Sequence, residues 1–357
     1  MHAVADTAAK IPALAVLYHK NKRKKLDNKL IEEKLKQFSM KEVAKSSLPP
    51  STWEFGKKSK SVFVEKFHQV FELFGLNVAR RNDYYSPLPD MANLKTNLTR
   101  WNRPSALTGI EYNIGEMKND LSGLLSRYYH EFASITPHAE LLKIGYGPGY
   151  PEMDAMLLYM TIRDTKPKRY IEVGSGLSTY YCSLAAEKNA EEGFPLQITC
   201  IEPYPYKKLY EIRSIEVIAK EVQDVEVSFF QQLGKGDVFF IDSSHILKID
   251  GDVPFLFLEV LPSLKSEVTI HIHDIPFPYN IPYPAELWIL RQNWPMFWNE
   301  AMVLQTFLCF NNRFKITMST PIIRYFDESF LKQQIEIYKT IDQNPNTFSS
   351  IWLKKTG

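Results

Sequence analysis

Arg169-Tyr170-Ile171-Glu172-Val173-Gly174-Ser175-Gly176-Leu177-Ser178-Thr179-Tyr180 reads as a buried strand, a tight Gly-Ser-Gly turn and the opening of a helix. Ser178 or Thr179 is expected to cap that helix. Two glycines at a strand-to-helix turn let a ligand approach the backbone amides closely. Glu172 lies beside the turn, where its carboxylate is expected to face a positively charged ligand group such as an amine. A dinucleotide fingerprint would need a third glycine where this chain has Thr179, which disfavours NAD and an oxidoreductase. S-adenosylmethionine, with both an amine and a sulfonium, suits the site better.

On either side of this stretch, short β-type runs alternate with helical ones. Helical Met153–Thr165 precedes it, and Gln197–Ile201, Glu216–Ala219, Val238–Ile241 and Val268–His273 follow, the pattern of an α/β domain with a mainly parallel sheet. The second strand ends at Glu202-Pro203, about thirty residues after Glu172, where a carboxylate characteristically binds ribose hydroxyls. After the third strand, Gln223 and Asp224 are placed to meet the adenine end of a cofactor.

These motifs resemble those of the class I S-adenosylmethionine-dependent methyltransferases. "YIEVGSGLST", "ITCIEPYP" and "DVFFIDSSH" occur in the order and spacing of that family, and the likeness covers about Pro151 to Ile323. It implies a Rossmann-like seven-stranded sheet with one antiparallel strand near its edge. It also implies that Glu172, Gly174, Ser175 and Gly176 hold the methionine part, Glu202 the ribose and Asp224 the adenine.

At the same sheet edge, strand four stops at Asp242-Ser243-Ser244-His245 and strand five at His273-Asp274. Period-two alternation puts His271 and His273 on one face and Asp274 on the other, with His271 packed deeper. Carboxylates beside imidazoles make a candidate divalent-metal site, for magnesium or manganese through oxygen and for iron, zinc or manganese through added nitrogen. Helix capping and loop bonding is the other reading of Asp242 and Asp274. Catechol-type O-methyltransferases look similar here, although Ile275 stands where that family has an amide and His245 where it has a general-base lysine. An imidazole suits proton abstraction near neutrality. The metal-dependent methyltransferase domains of polyketide assembly lines also look similar, which implies His273 of "HIHDI" and Gln305 of "VLQTFLCFNN" as ligands and a place in natural-product biosynthesis. Gln305 also reads as a helix-surface amide. The expected reaction is in-line methyl transfer to oxygen or an enolate carbon, with Asp242, His245 and His273 as its catalytic groups and iron, manganese or magnesium assisting. A metal-independent route with His245 as base is the alternative.

The acceptor is expected to be a hydrophobic or aromatic small molecule, or an acyl intermediate. Tyr84 and Tyr85 of "DYYSPLPDMANL", with Tyr279, Tyr283 and Trp288, form candidate walls. These aromatics could equally cement a cap onto the core.

At 357 residues, with about 150 per domain as a prior, the chain divides on this reading into a mainly helical cap (1–144), the methyltransferase core (145–325) and a C-terminal helix and tail (326–357). With 43 Lys+Arg against 41 Asp+Glu, no global field would hold nucleic acid, and the Lys20–Lys25 cluster reads as a solvated face. Three scattered cysteines, Cys182, Cys200 and Cys309, fit a reducing, cytoplasmic setting. Neither a membrane anchor nor a secretion signal is read, and a homodimer is left open.

Overall fold

A computed structural model of the chain describes residues 68–73, 75–79, 84–147, 149–291, 295–338 and 349–356. The helical reading of 1–45, the Lys20–Lys25 cluster, the Ser46–Thr52 connection and most of the Ser61–Phe74 helix lie outside the described residues or extend beyond them. The chain divides into two compact units, Met1–Asp90 and Met91–Gly357. In the first, Tyr84 and Tyr85 are exposed and meet edge to face at 5.3 Å.

The second unit is built on a seven-stranded sheet of order β3-β2-β1-β4-β5-β7-β6. The strands are β1 (Arg169–Val173), β2 (Gln197–Ile201), β3 (Ile215–Ile218), β4 (Val238–Ile241), β5 (Thr269–Ile272), β6 (Phe314–Ser319) and β7 (Ile351–Lys355). The first five pair in parallel, and β7 is antiparallel to both its neighbours. Strands β1 and β4 are buried on both faces, as parallel strands covered by crossover helices must be.

Helices α1 (Ile114–Ala133), α2 (Glu152–Thr165) and α3 (Leu177–Glu191) pack together, with α2 in contact with both of the others. Helix α1 begins where Asn113 accepts the Glu116 amide at 3.2 Å, and its Met117, Leu121, Leu124, Leu125 and Phe132 join the core of the sheet. The boundary expected at 145 therefore falls inside one compact unit, because the apolar stripe of α1 is buried in the same core as the strands.

The C-terminal reading needs a second correction. The helix expected after 326 starts earlier, as α5 (Thr320–Gln334), because Ser319 accepts the Ile322 amide and Pro321 occupies its first turn. The supposed tail contains β7, which inserts between β5 and β6 and extends the core to Lys355. The Lys355 ammonium is buried because it donates to the carbonyls of Pro262, at 2.7 Å, and Leu264. Among the described residues no helix is long and apolar enough to cross a membrane.

Candidate active site

The register of the parallel strands sets the site. Val173 is paired with Ile201 on one side and Ile241 on the other, and Ile241 with Ile272. One residue further on, Gly174, Glu202, Asp242 and His273 continue the ladder, donating to the carbonyls of Ile201, Ile218, Val173 and Ile241 at 3.0, 3.1, 2.9 and 2.9 Å. Four residues from four separate sequence segments thus line the carboxyl edge of the sheet, where open α/β sheets bind ligands.

Gly174 turns the chain with φ +88°, and a Cβ there would lie 2.4 Å from the Asp242 carbonyl oxygen. Only glycine lets the first strand's turn pass this close to the fourth strand's end. Gly176 precedes α3, and its N–H donates to Thr179 Oγ1 at 3.1 Å. The helix therefore starts at Leu177, and neither Ser178 nor Thr179 is its cap. Both hydroxyls instead donate to Glu172, Ser178 to Oε1 and Thr179 to Oε2 at 2.8 Å. Glu172 is fully buried, which pushes its pKa up to about 8 against the lowering effect of those two bonds. Each carboxylate oxygen thus accepts from the helix that follows the turn.

Glu202 sits half-buried at the end of β2 and accepts the Tyr204 amide at 2.8 Å, with burial raising its pKa and that N–H opposing the rise. Pro203 follows it in the chain. Gln223 lies in a short turn after β3 and donates to Glu221 and to the Asp250 carbonyl, and Asp224 beside it is exposed.

At the other half of the edge, two imidazoles and two carboxylates converge. His245 Nε2 lies 3.3 Å from Asp242 Oδ1 and 3.5 Å from Asp274 Oδ2. His273 Nδ1 lies 3.4 and 3.7 Å from the same two oxygens. The opposite-face placement expected for Asp274 does not occur. Strand β5 ends at Ile272, and Asp274 takes a left-handed φ of +56°, which breaks the alternation and swings its carboxylate round to the imidazoles. His245 is also left-handed, at φ +61°. Two strained non-glycine residues at one site mark a place that the surrounding structure holds by force. Burial alone would raise Asp242, but the His273 and His245 imidazoles outweigh it and hold its carboxyl far below the usual range. Burial opposes charge on both histidines, and the surrounding carboxylates reverse this and raise both well above the ordinary imidazole value. His271 lies deeper, stacked between Phe240 and Trp352 at 4.4 and 4.0 Å, where burial keeps it neutral.

Residues 171–275, from β1 to just past β5, match the family model described as a methyltransferase domain. This segment is therefore similar to a methyltransferase domain. An uncharacterized protein of Archaeoglobus fulgidus is 29% identical to this chain over 160 residues, covering 42% of this chain and 71% of the relative. Among solved structures, the chain is similar to the O-methyltransferase TomG of Streptomyces achromogenes, in complex with SAM, at 11% identity and TM-score 0.40 over 65% of this chain and 96% of that one. It is also similar to the Bacillus cereus O-methyltransferase in complex with SAH, at 12% identity and TM-score 0.31 over 66% and 91% of the two chains.

Around this edge of the sheet, a second small core joins Ile281, Ala285 and Ile289 to Leu94, Trp101, Trp288 and Phe297. Trp288 packs on Trp298 at 5.4 Å, and Trp298 covers His245 at 4.5 Å, so this aromatic wall reaches the site. Tyr279 and Tyr283 stack on each other at 3.7 Å in the loop after β5. Tyr84 and Tyr85 belong to the other compact unit. Gln305 is not with the metal-type cluster: it accepts from Asn280 at 3.2 Å and donates to Ser105 at 2.7 Å, pinning two loops together. The reason is helical geometry, since α4 (Glu300–Leu308) turns its first residue, Glu300, toward His245.

Three residues that sequence reasoning passed over stand behind the cluster: Asp154, Glu300 and Ser349. Asp154 carried a signal, being a lone acid in the apolar run Met153–Met160. An apolar groove of about 390 Å³, lined by Leu247, Phe257, Leu258, Met302, Val303 and Phe307, opens beside the His245 loop.

Proposed function

We propose that the protein transfers the methyl group of S-adenosylmethionine to an oxygen or enolate carbon of a hydrophobic small molecule, assisted by a divalent cation at Asp242, His245, His273 and Asp274. The observation that carries this reading is the convergence of four acceptor atoms, two imidazole nitrogens and two carboxylate oxygens, beside the glycine turn and Glu202.

The donor set fits such an ion. Asp242, His245 and Asp274 each offer a ligand atom within 4.8 Å of the other two, and His273 Nδ1 lies 3.4 and 3.7 Å from the two carboxylate oxygens. Two nitrogens with two oxygens favour manganese or iron over magnesium. A cation there would supply Lewis acidity, polarising an acceptor oxygen and lowering its pKa. For the cofactor, the turn at Gly174 and Gly176 would meet the methionine part and Glu202 the ribose hydroxyls. Trp298 and Trp288 would exclude water from the acceptor and hold an aromatic or acyl body against the site.

A second reading uses His245 as a general base oriented by Glu300, favoured by the 2.7 Å contact between its Nδ1 and that carboxylate. One experiment separates the two. Metal content is measured on protein purified without added metal, and S-adenosylmethionine is titrated calorimetrically before and after chelation, with turnover followed on chelating acceptors such as catechols and β-keto acids. Stoichiometric metal and loss of turnover on chelation support the metal reading. Full turnover in metal-free protein overturns it and leaves His245 as the base.

A further inference from the structure

Each imidazole at the site is held from behind by a buried carboxylate. His245 Nδ1 meets Glu300 Oε2 at 2.7 Å, and Glu300, which is 1% exposed, uses its other oxygen to accept from Ser243 Oγ at 3.0 Å. The amides of Asn299 and Glu300 both donate to the His245 carbonyl, at 3.0 and 3.2 Å, so backbone and ring are fixed by one helix start. On the other side, His273 Nε2 meets Ser349 Oγ at 3.0 Å and Asp154 Oδ2 at 3.3 Å. Asp154 is fully buried, and its Oδ2 also accepts the Ser349 hydroxyl at 2.9 Å and amide at 3.3 Å. The Tyr150 ring closes over His273 at 4.7 Å.

A carboxylate can only accept, so each ring offers it the N–H and turns its other nitrogen away. The consequence is asymmetric: His245 presents Nε2 and His273 presents Nδ1 to the same pair of aspartates. His273 Nδ1 is buried with no hydrogen-bond partner and aimed at their oxygens. A divalent cation between these two nitrogens and the two aspartates, each about a third exposed, would be held by both pairs.

We propose that Asp154 and Glu300 are positioning residues which lock His273 and His245 in opposite tautomers, so that Nδ1 of one and Nε2 of the other ligate a divalent metal together with Asp242 and Asp274. Asp154 acts through Ser349 as well as directly, which makes the segment just before β7 part of the metal's outer shell. The inference rests on the metal reading above and goes beyond it in assigning the ligand atoms and the residues that select them.

The test uses the full chain with cobalt(II) and zinc(II) as probes. Cobalt affinity and visible absorption are measured for wild type, Asp154→Asn and Glu300→Gln, alongside S-adenosylmethionine affinity. The expectation is about one cobalt per chain in wild type, an affinity about 10–100-fold weaker with an altered spectrum in each variant, and unchanged cofactor affinity. Failure of wild type to bind cobalt defeats the metal reading itself. Wild-type binding with equal affinity and spectrum in both variants overturns the positioning roles alone. Should a variant fail to fold, ring ¹⁵N shifts of zinc-loaded wild type answer the question: ligation through Nε2 of His245 and Nδ1 of His273 is expected, and the same nitrogen in both rings, or the reverse pairing, overturns the assignment.

Discussion

Replacing Gly174 by alanine tests how tightly the glycine turn and the chemical half of the site are coupled. Two penalties apply. A left-handed residue with a Cβ costs about 1–2 kcal/mol, and the Cβ would sit 2.4 Å from the Asp242 carbonyl oxygen, where ordinary contact begins at 3.4 Å. The turn and the end of β4 would have to part by about 1 Å, straining the 2.9 Å bond from the Asp242 amide to Val173; such overpacking costs about 1–3 kcal/mol more. Gly193 is the matched control, because its φ of +89° is the same and nothing lies within 4 Å of its Cβ position. Gly193→Ala should therefore lose only the conformational part, and Gly174→Ala about 2–5 kcal/mol in all. Because Asp242 moves with its backbone, methyl transfer in Gly174→Ala should fall about 100-fold, the usual consequence of a 1 Å misplacement. Urea unfolding of both variants, with turnover at saturating S-adenosylmethionine, reads these quantities. Equal stability losses in the two variants, with wild-type turnover in Gly174→Ala, would refute the coupling.

Further outcomes follow from the same geometry. Glu172 has a folded-state pKa of about 8 against an ordinary 4.5, so the folded protein holds a proton that the unfolded chain releases. Wild-type stability should fall, by up to about 1.4 kcal/mol per pH unit, as pH rises between those values, and denaturant unfolding at pH 6 and pH 9 should find the difference much reduced in Glu172→Gln. Glu202→Ala should abolish S-adenosylmethionine binding in calorimetry, whereas Asp242→Ala should bind the cofactor and fail to transfer methyl. Loss of binding in Asp242→Ala alone would mean that the two halves of the edge had been misassigned. Deleting residues 349–357 should yield no cooperatively folding protein by circular dichroism, since β5 and β6 would lose the strand between them and Asp154 its Ser349 partner.

The glycine-turn half of the sheet edge was legible in the sequence because its signals are local. A strand, a Gly-Ser-Gly turn and a helix within twelve residues specify one another through backbone sterics, and a carboxylate at the end of the next strand follows from the α/β alternation. Even there, the bonds of Glu172 were not legible. Its position beside the turn was evident, but whether its oxygens face a ligand or the following helix depends on Ser178 and Thr179 donating back to it. The strands β6 and β7 were missed as strands for a related reason. Ile351-Trp-Leu-Lys-Lys355 carries two lysines near the end of the chain, and Lys355 becomes a core residue only because two helix-end carbonyls receive its ammonium.

By itself the sequence determined the sheet class, the glycine turn, the candidate ribose carboxylate and the presence of Asp242, His245, His273 and Asp274 at strand ends, since each depends on neighbours a few positions away. The tertiary structure alone decided how those four side chains meet. Two left-handed residues, His245 and Asp274, override the two-residue period that would have separated them. Two buried acids from distant helices, Asp154 and Glu300, select which nitrogen of each ring faces inward. Tautomer choice depends on hydrogen-bond partners more than fifty residues away in the chain, and no periodicity or motif carries that information.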